Sequence, residues 1–308
     1  TRFELVVDGE DEVWLRAAAE EALDEIERLE AQLSIFRPTS DLSRINAKAA
    51  HGPVRVEPRL FSLLQTARRM YDETEGAFDP TVGPLMRAWG FFRDSGGMPD
   101  PAALAEARSR TGMHLVTLDA ETRTVTFEQP GVGLDFGGIG KGYAVDEAVS
   151  ILKEMGVERG LLHGGTSTVV GFGPDPWMIG IPYPGEIEEM LAIVSLDSSA
   201  LSVSAVWGKA FEFEGRTYGH VLDPRVGRPV EGAVLAAVVL PSATEADALS
   251  TALLVLGDEG AHWASGYNGL RMLQIFPAEG RFEAVEAGIP ILPTERSSVA
   301  PRARSLTL

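Results

Sequence analysis

The stretch LDFGGIGKGY, residues 134–143, places four glycines and one lysine directly before a helical pattern that begins at Ala144. Glycine permits positive φ and close backbone approach, and a helix N-terminus offers N–H groups and the positive end of the helix dipole. The pattern therefore predicts a strand at 131–135, a tight turn and a helix. Such a junction favours phosphate as a ligand. Tight packing of strand on helix, with Lys141 in solvent, explains the same residues equally well.

Composition narrows the class of protein. The chain has 308 residues, of which 44% are hydrophobic and 23% charged, and this is typical of a globular protein. A net charge of −18 argues against a nucleic-acid-binding surface and against docking by charge on acidic membranes. The absence of cysteine excludes disulfides, thiolate catalysis and cysteine-ligated metals.

The compartment is not fixed by the sequence. No apolar run approaches the length of a membrane-spanning helix. Because the chain opens at Thr1 in a strand-like run, a cytoplasmic soluble domain and a domain tethered outside the cytoplasm, with its leader or anchor removed, are both open.

Hydrophobic periodicity predicts helices and strands that interleave without a regular βαβ cadence. Helices are predicted at 13–33, 41–46, 58–74, 101–110, 244–256 and 258–266, besides the one after the glycine loop. Strands are predicted at 2–7, 114–118, 123–127, 131–135, 159–163, 167–172, 177–181, 200–206, 209–213, 233–240, 270–276 and 281–285. We expect an α+β fold, one compact domain over 1–289 with mixed sheets and flanking helices. The Pro-, Arg- and Ser-rich tail, 290–308, is expected to be poorly ordered.

A histidine lies beside an Asp-Pro turn in YGHVLDPR, residues 218–225. Such a histidine can act as a general base. Alternatively, Asp223 bonds its own backbone in a turn and His220 is solvated.

A third group of polar residues opens the predicted helix 244–256. Ser242 and Glu245 fit a capping box, so Asp247 falls in the first turns, and Thr251 lies four residues later on the same face. A carboxylate and a hydroxyl so placed can hold Mg²⁺, which prefers oxygen ligands. The alternative is that the helix dipole favours the acidic residue and the threonine only packs.

The loop GAFDPTVGPL, residues 76–85, is rich in helix breakers and is followed by Trp-Gly-Phe at 89–91. Its Ala-Phe-Asp segment could enclose a flat ring or bond its edge. A buried aromatic loop without a ligand is the alternative.

Taken in order, these segments resemble one family, the ApbE-like FAD:protein FMN transferases. The resemblance covers nearly the whole chain, from Arg2 to about Phe276, and its motifs match at 36–46, 76–85, 89–91, 135–146, 220–229 and 246–252. It implies an ApbE/T-fold-like domain. It also implies magnesium-dependent transfer of FMN from FAD to a threonine or serine hydroxyl of a target protein, with release of AMP. FAD pyrophosphatase activity and non-catalytic FAD binding are the alternatives.

The resemblance also implies roles for individual residues. It places Phe36, Ala77, Phe78 and Asp79 in contact with FAD. It assigns nucleotide binding to Asp135 and Lys141, with Val221 beside them. It assigns Mg²⁺ binding to the backbone of Gly138 and to Asp247 and Thr251. It makes His220 the base that takes the proton of the acceptor hydroxyl.

Two segments depart from the family's pattern. Thr166 stands where the family has Asp or Asn after two glycines. The segment Ser202–Lys209 lacks the Tyr and Arg that often precede the histidine motif. These departures favour the non-catalytic alternative, whereas His220, Asp247 and Thr251 favour the enzyme.

Overall fold

The computed structural model describes residues 1–93, 96–184, 189–279, 281–292 and 299–301. Within these ranges, no helix has the length and apolar character needed to cross a membrane. Most of the tail predicted to be poorly ordered, 290–308, lies outside the described residues. The part of it at Val299–Pro301 pairs in parallel with Phe282–Ala284.

The described residues form helices and strands throughout. The helices are α1 (Glu12–Leu33), α2 (Asp41–Lys48), α3 (Pro58–Glu73), α4 (Gly83–Ala88), α5 (Pro101–Ser109), α6 (Gly140–Glu154), α7 (Ala243–Leu256) and α8 (Gly260–Ser265). The strands are β1 (Phe3–Asp8), β2 (Val54–Arg55), β3 (Val116–Asp119), β4 (Thr124–Phe127), β5 (Arg159–Gly164), β6 (Thr168–Phe172), β7 (Trp177–Pro182), β8 (Met190–Leu196), β9 (Ser199–Ala205), β10 (Ala210–Phe213), β11 (Arg216–Gly219), β12 (Leu222–Asp223), β13 (Arg228–Pro229), β14 (Leu235–Leu240), β15 (Arg271–Ala278), β16 (Arg281–Ala287) and β17 (Val299–Pro301).

This content of helices and antiparallel strands confirms the predicted α+β class. The helices of the sequence-based prediction all occur, with bounds shifted by a few residues, and α4 was not predicted. Strand β8 and the second strand of the hairpin β10–β11 were also missed.

The prediction of a strand at 131–135 is wrong: these residues form no strand, so the chain enters the glycine loop from an irregular segment. Its backbone groups bond elsewhere. The side chain of Asn46 accepts a hydrogen bond from Leu134 N (2.8 Å) and donates one to Leu134 O (2.9 Å). The N–H of Asp135 donates to Pro80 O at 2.7 Å. A residue 88 positions earlier thus takes the place of a neighbouring strand.

Contacts divide the chain into two compact units. Unit 1 comprises Thr1–Glu27, Lys141–Ala205 and the chain from Glu231 onward, and unit 2 comprises Arg28–Gly140 and Val206–Val230. The domain bounds 1–289 and 290–308 stay predictions.

Unit 1 is built on an eight-stranded sheet in the order β1-β5-β6-β9-β14-β15-β16-β17. Every neighbouring pair is antiparallel except β16 and β17, so the sheet is mixed as predicted. Helix α7 lies against β9 and β14, and eleven of its residues are buried. This helix carries Asp247 and Thr251, so sheet packing fixes where their side chains lie.

Unit 2 contains α2 to α5, the three-stranded sheet β2-β4-β3 and two short hairpins, β10–β11 and β12–β13. Its aromatic core joins Trp89 to the hairpin β10–β11. The rings of Trp89 and Tyr218 stack with centroids 5.9 Å apart, and those of Phe211 and Tyr218 stack at 5.3 Å. The indole N–H of Trp89 donates to Gly227 O at 2.9 Å, which ties the segment after β12 to the same core.

Helices α6 and α7 of unit 1 meet at their first turns. A Cβ at Gly142 would lie 2.1 Å from the carbonyl oxygen of Ala243 and 2.9 Å from Cβ of Asp247. Because the first distance is far inside van der Waals contact, only glycine allows this approach.

Asp146, one turn further along α6, caps α7 from outside that helix. Its carboxylate accepts hydrogen bonds from Ala243 N (2.9 Å), Thr244 N (2.8 Å), Thr244 Oγ1 (2.7 Å) and Ser242 Oγ (2.8 Å). The hydroxyl of Ser242 in turn accepts from Glu245 N, which is one of the two bonds of the predicted capping box. A carboxylate at a helix N-terminus also interacts favourably with the helix dipole.

We predict that Asp146→Asn lowers the free energy of unfolding by about 2 kcal/mol, because charge-assisted bonds to the α7 terminus are lost and an amide N–H₂ faces N–H donors. Urea unfolding of this variant should show a lower midpoint than wild type. The matched control is Asp175→Asn, since Asp175 is exposed. Equal midpoints for the two variants would show that the Asp146 cap does not stabilise the fold.

Candidate functional site

Asp247 is the best-enclosed charged group among the predicted site residues. It is 2% exposed, on the second turn of α7. Its Oδ2 accepts a hydrogen bond from Gly142 N at 3.0 Å, and its Oδ1 accepts one from Ser202 Oγ at 3.3 Å. The ammonium of Lys141 lies 3.7 Å from Oδ1. Backbone, hydroxyl and cation together compensate a carboxylate that burial would otherwise destabilise.

Thr251, one helical turn after Asp247, is partly buried. Its hydroxyl oxygen lies 3.3 Å from the backbone oxygen of Asp247 and 3.2 Å from Ser204 Oγ, within hydrogen-bond distance of both. The structure thus brings together three of the predicted residues, Lys141, Asp247 and Thr251, in unit 1.

The glycine loop in unit 2 satisfies most of its own N–H groups. Gly137 N donates to Asp135 Oδ1 at 2.8 Å, so the carboxylate of Asp135 folds back on the loop. The N–H groups of Ile139 (3.2 Å) and Gly140 (2.7 Å) donate to Phe136 O. The loop therefore offers a phosphate fewer free amides than its glycine content suggests. Gly138 itself is partly exposed within this loop.

The Ala77-Phe78-Asp79 loop is buried. Asp79 is 6% exposed, and its Oδ1 accepts hydrogen bonds from Thr81 N (2.7 Å) and Thr81 Oγ1 (2.6 Å). Burial raises the pKa of Asp79 to about 6, although the two bonds from Thr81 act to lower it. With a pKa of about 6, Asp79 is mostly ionised at about pH 7 and becomes protonated as the pH falls through 6.

Phe36 differs from that loop in its exposure. Its side chain is 68% exposed and meets Phe92 edge-to-face, with ring centroids 6.0 Å apart. A large exposed aromatic ring is available to a ligand or partner, whereas Phe78, which is 4% exposed, packs inside unit 2.

His220 directly follows the hairpin β10–β11 and is held by Lys209, the residue before its first strand. The backbone N–H of His220 donates to Lys209 O at 3.0 Å, and ring Nδ1 lies 3.2 Å from the same oxygen. Because a carbonyl oxygen only accepts, Nδ1 carries the proton in this bond, and the neutral ring has its lone pair on Nε2. The Phe91 ring meets the imidazole edge-to-face at 6.5 Å.

The residues after His220 form a hydrogen-bonded turn. The carbonyl oxygen of Val221 accepts a hydrogen bond from Val230 N at 3.0 Å. The Asp223 carboxylate accepts two hydrogen bonds from the Arg225 guanidinium, from Nε (3.0 Å) and from Nη2 (2.8 Å). Asp223 also accepts from Arg225 N, which is the local turn that the sequence offered as the alternative reading. The Asp223 turn therefore forms, and it does not exclude a role for His220 as a general base, because the imidazole is not part of the turn.

Carboxylates and imidazoles alone do not make a metal site in the described part of the chain, where no three His, Asp or Glu side chains cluster for one. A cation at Asp247 would therefore take its other ligands from hydroxyl and backbone oxygens, water or a bound phosphate. The donor set fits Mg²⁺, because the Asp247 carboxylate and the Thr251 hydroxyl are hard oxygen ligands.

Several residues that shape these groups were not singled out from the sequence. They are Asn46, Thr81, Asp146, Ser202 and Ser204. Asn46 and Asp146 are the last residues of the motifs 36–46 and 135–146, and Thr81 lies inside the motif 76–85. Their position in these motifs could have marked them as candidates. Ser202 and Ser204 lie in the segment Ser202–Lys209, which the sequence analysis noted only for the Tyr and Arg that it lacks.

Comparison with known proteins identifies the family. The model of the ApbE family matches residues 1–273. A protein of Klebsiella pneumoniae named FAD:protein FMN transferase is 33% identical over 85% of this chain and 76% of its own length. One of Treponema pallidum with the same name is 32% identical over 85% of this chain and 78% of its own length.

Solved structures agree over both units. The apo flavinyl transferase ApbE of Pseudomonas stutzeri matches with a TM-score of 0.80 and 30% identity, covering 92% of this chain and 90% of that one. The ApbE protein of Thermotoga maritima matches with a TM-score of 0.80 and 28% identity, covering 96% and 97%. The predicted resemblance is confirmed: this chain belongs to the ApbE family of flavin transferases.

Proposed function

We propose that this chain is a magnesium-dependent FAD:protein FMN transferase, which moves FMN from FAD to a threonine or serine hydroxyl of a target protein and releases AMP. Its relatives' names support flavin transfer. The observation that carries the proposal to this chain is the buried Asp247 carboxylate, with Lys141 3.7 Å from it and Thr251 one turn later. His220, whose ring Nδ1 hydrogen-bonds Lys209 O, favours the enzyme over a non-catalytic FAD carrier, because a carrier needs no general base.

In the proposal, Asp247 and Thr251 hold Mg²⁺, together with the backbone of Gly138. When bound, Mg²⁺ supplies charge neutralisation on the non-bridging oxygens of the diphosphate. Lys141 adds a second positive charge for those oxygens, and since most loop amides already have partners, its ammonium carries more of this role.

The proposed reaction is a phosphoryl transfer. The hydroxyl oxygen of the acceptor attacks the phosphorus atom of the FMN half, a new P–O bond forms, and AMP leaves with the bridging oxygen. Nε2 of His220 takes the hydroxyl proton. The hydrogen bond from Nδ1 to Lys209 O suits this role, because it keeps the lone pair on Nε2.

FAD binding is assigned to Phe36, Ala77, Phe78, Asp79, Asp135, Lys141 and Val221. Exposed Phe36 can stack on a ring, and Asp79 can accept a hydrogen bond from an N–H of the flavin when it is ionised. The acceptor protein is the other partner that this function requires.

We predict that His220→Ala lowers FMN transfer roughly a hundredfold or more and leaves FAD affinity within about twofold of wild type, because a positioned base acts mainly in the transition state. Transfer is read as flavin fluorescence on a denaturing gel after incubation with FAD, Mg²⁺ and a threonine-bearing target domain. His262→Ala, at an exposed position, is the matched control. Unchanged transfer by the His220 variant would refute the base assignment. Free FMN without protein-bound FMN would indicate a pyrophosphatase.

We further predict that FAD affinity falls as the pH drops below about 6, by up to about tenfold per pH unit, since Asp79 is ionised above its pKa and protonated below it. Asp79→Asn should bind FAD more weakly than wild type at about pH 7.5 and show no such slope. Fluorescence titrations between about pH 5 and pH 7.5 measure both. A flat wild-type profile would show that Asp79 does not bind the flavin as a carboxylate.

A further inference from the structure

A network of hydroxyl groups surrounds Asp247 in unit 1. Its members come from β6, β9 and α7 and are joined by hydrogen bonds of 2.8–3.4 Å; they are Thr168, Ser202, Ser204, Ser250 and Thr251. Thr168, Ser202 and Ser250 are fully buried. A buried polar network of this kind is stable only when its donors and acceptors match.

The two serines of β9 reach this network because of strand geometry. Ser202 and Ser204 are two residues apart, so their side chains point to the same face of the sheet, the face that packs against α7. Ser199 is three residues before Ser202, so its side chain points to the other face of the sheet. Its hydroxyl is buried and has no hydrogen-bond partner among the residues that the structure describes. One strand therefore offers two bonded serines and one buried serine that lies outside the network.

Proton counting fixes the direction of the bonds at the carboxylate. Since an ionised carboxylate only accepts, the single proton of Ser202 is donated to Asp247 Oδ1 at 3.3 Å. Thr168, 3.2 Å from Ser202 Oγ, must then be the donor in that pair. Ser202 therefore connects β6 to the carboxylate and holds Oδ1 in one orientation.

The same counting applies one turn later. The hydroxyl of Ser204 lies 2.8 Å from Ser250 Oγ and 3.2 Å from Thr251 Oγ1. Ser250 can donate its one proton to the backbone oxygen of Asp247 at 3.0 Å or to Ser202 Oγ at 3.4 Å, and the first contact is the shorter. With the proton of Ser250 used in either of these bonds, Ser204 is the donor to Ser250. Ser204 then has lone pairs for Thr251, whose proton points to Ser204 Oγ or to Asp247 O. Either way the proton of Thr251 is held inside the protein.

We propose that Ser202 and Ser204 are positioning residues, which orient Asp247 and Thr251 so that their oxygen lone pairs face a bound divalent cation. The inference rests on the proposed function, in which Asp247 and Thr251 are the side-chain ligands of that cation. Groups that hydrogen-bond metal ligands set ligand orientation, and their loss typically weakens metal affinity tenfold or more. The β9 serines thus give a role to a segment that the family's pattern left unexplained.

The test is Mn²⁺ binding without turnover, measured by electron paramagnetic resonance on the purified chain without FAD. Mn²⁺ suits oxygen ligands as Mg²⁺ does. Ser202→Ala and Ser204→Ala should each weaken Mn²⁺ binding about tenfold. Ser199→Ala, a buried serine on the same strand, should bind like wild type. Ser204→Thr should retain Mn²⁺ binding, and Ser204→Val should lose it, because valine has the shape of threonine without the hydroxyl. This pair of variants replaces the alanine variant if that variant does not fold.

Two further arms separate the failure of this inference from failure of the proposed site. If wild type binds no Mn²⁺, or Asp247→Asn binds it as tightly as wild type, the cation site itself is wrong. If Asp247→Asn abolishes binding but the Ser202 and Ser204 variants match Ser199→Ala, only the positioning role is overturned. Urea unfolding of each variant shows whether it is folded. The positioning role is also overturned if Ser199→Ala, Ser202→Ala and Ser204→Ala all weaken Mn²⁺ binding equally and in proportion to their loss of stability.

Discussion

The approach of α6 to α7 at Gly142 is the constraint on which unit 1 depends. The absence of a Cβ allows the first turn of α6 to touch the Ala243 carbonyl, and the Gly142 N–H then reaches the Asp247 carboxylate at 3.0 Å. The same approach places Asp146 against the N-terminus of α7, where it accepts from two backbone N–H groups. Any side chain at position 142 would separate the helices and break both sets of bonds.

This constraint determines which groups remain available for a phosphorylated ligand. Asp146 fills the N-terminus of α7, so that end of the helix is satisfied by the protein's own anion. The N–H of Gly142 is likewise used by Asp247. What unit 1 offers near this junction is therefore the ammonium of Lys141 and the oxygens of Asp247 and Thr251, a cationic group beside hard oxygen atoms.

The local parts of this arrangement could be predicted from the sequence, and the long-range parts could not. The capping box at Ser242, the placement of Asp247 in the first turns of α7 and the shared face with Thr251 all follow from spacing within one helix. The false strand at 131–135 arose because Asn46, 88 residues earlier, satisfies the backbone of Leu134 in place of a neighbouring strand. Alternating apolar residues cannot reveal such a substitute.

The same distinction applies to the polar groups. Ser202 and Ser204 became recognisable only when β9 was placed beside α7, because an alternating strand does not say what its inner face meets. The tautomer of His220 depends on the Lys209 carbonyl, which reaches it through the pairing of β10 with β11. The family resemblance supplied the proposed roles, and the tertiary contacts show how these side chains are held.

The central claim is that Asp247 holds the cation on which flavin transfer depends. It is tested most directly by the Mg²⁺ dependence of FMN attachment, followed as the gain of one FMN in the intact mass of a threonine-bearing target domain. Wild type should attach FMN with saturable dependence on Mg²⁺, and Asp247→Asn should attach little at any Mg²⁺ concentration. Attachment by Asp247→Asn with the wild-type Mg²⁺ dependence would contradict the claim.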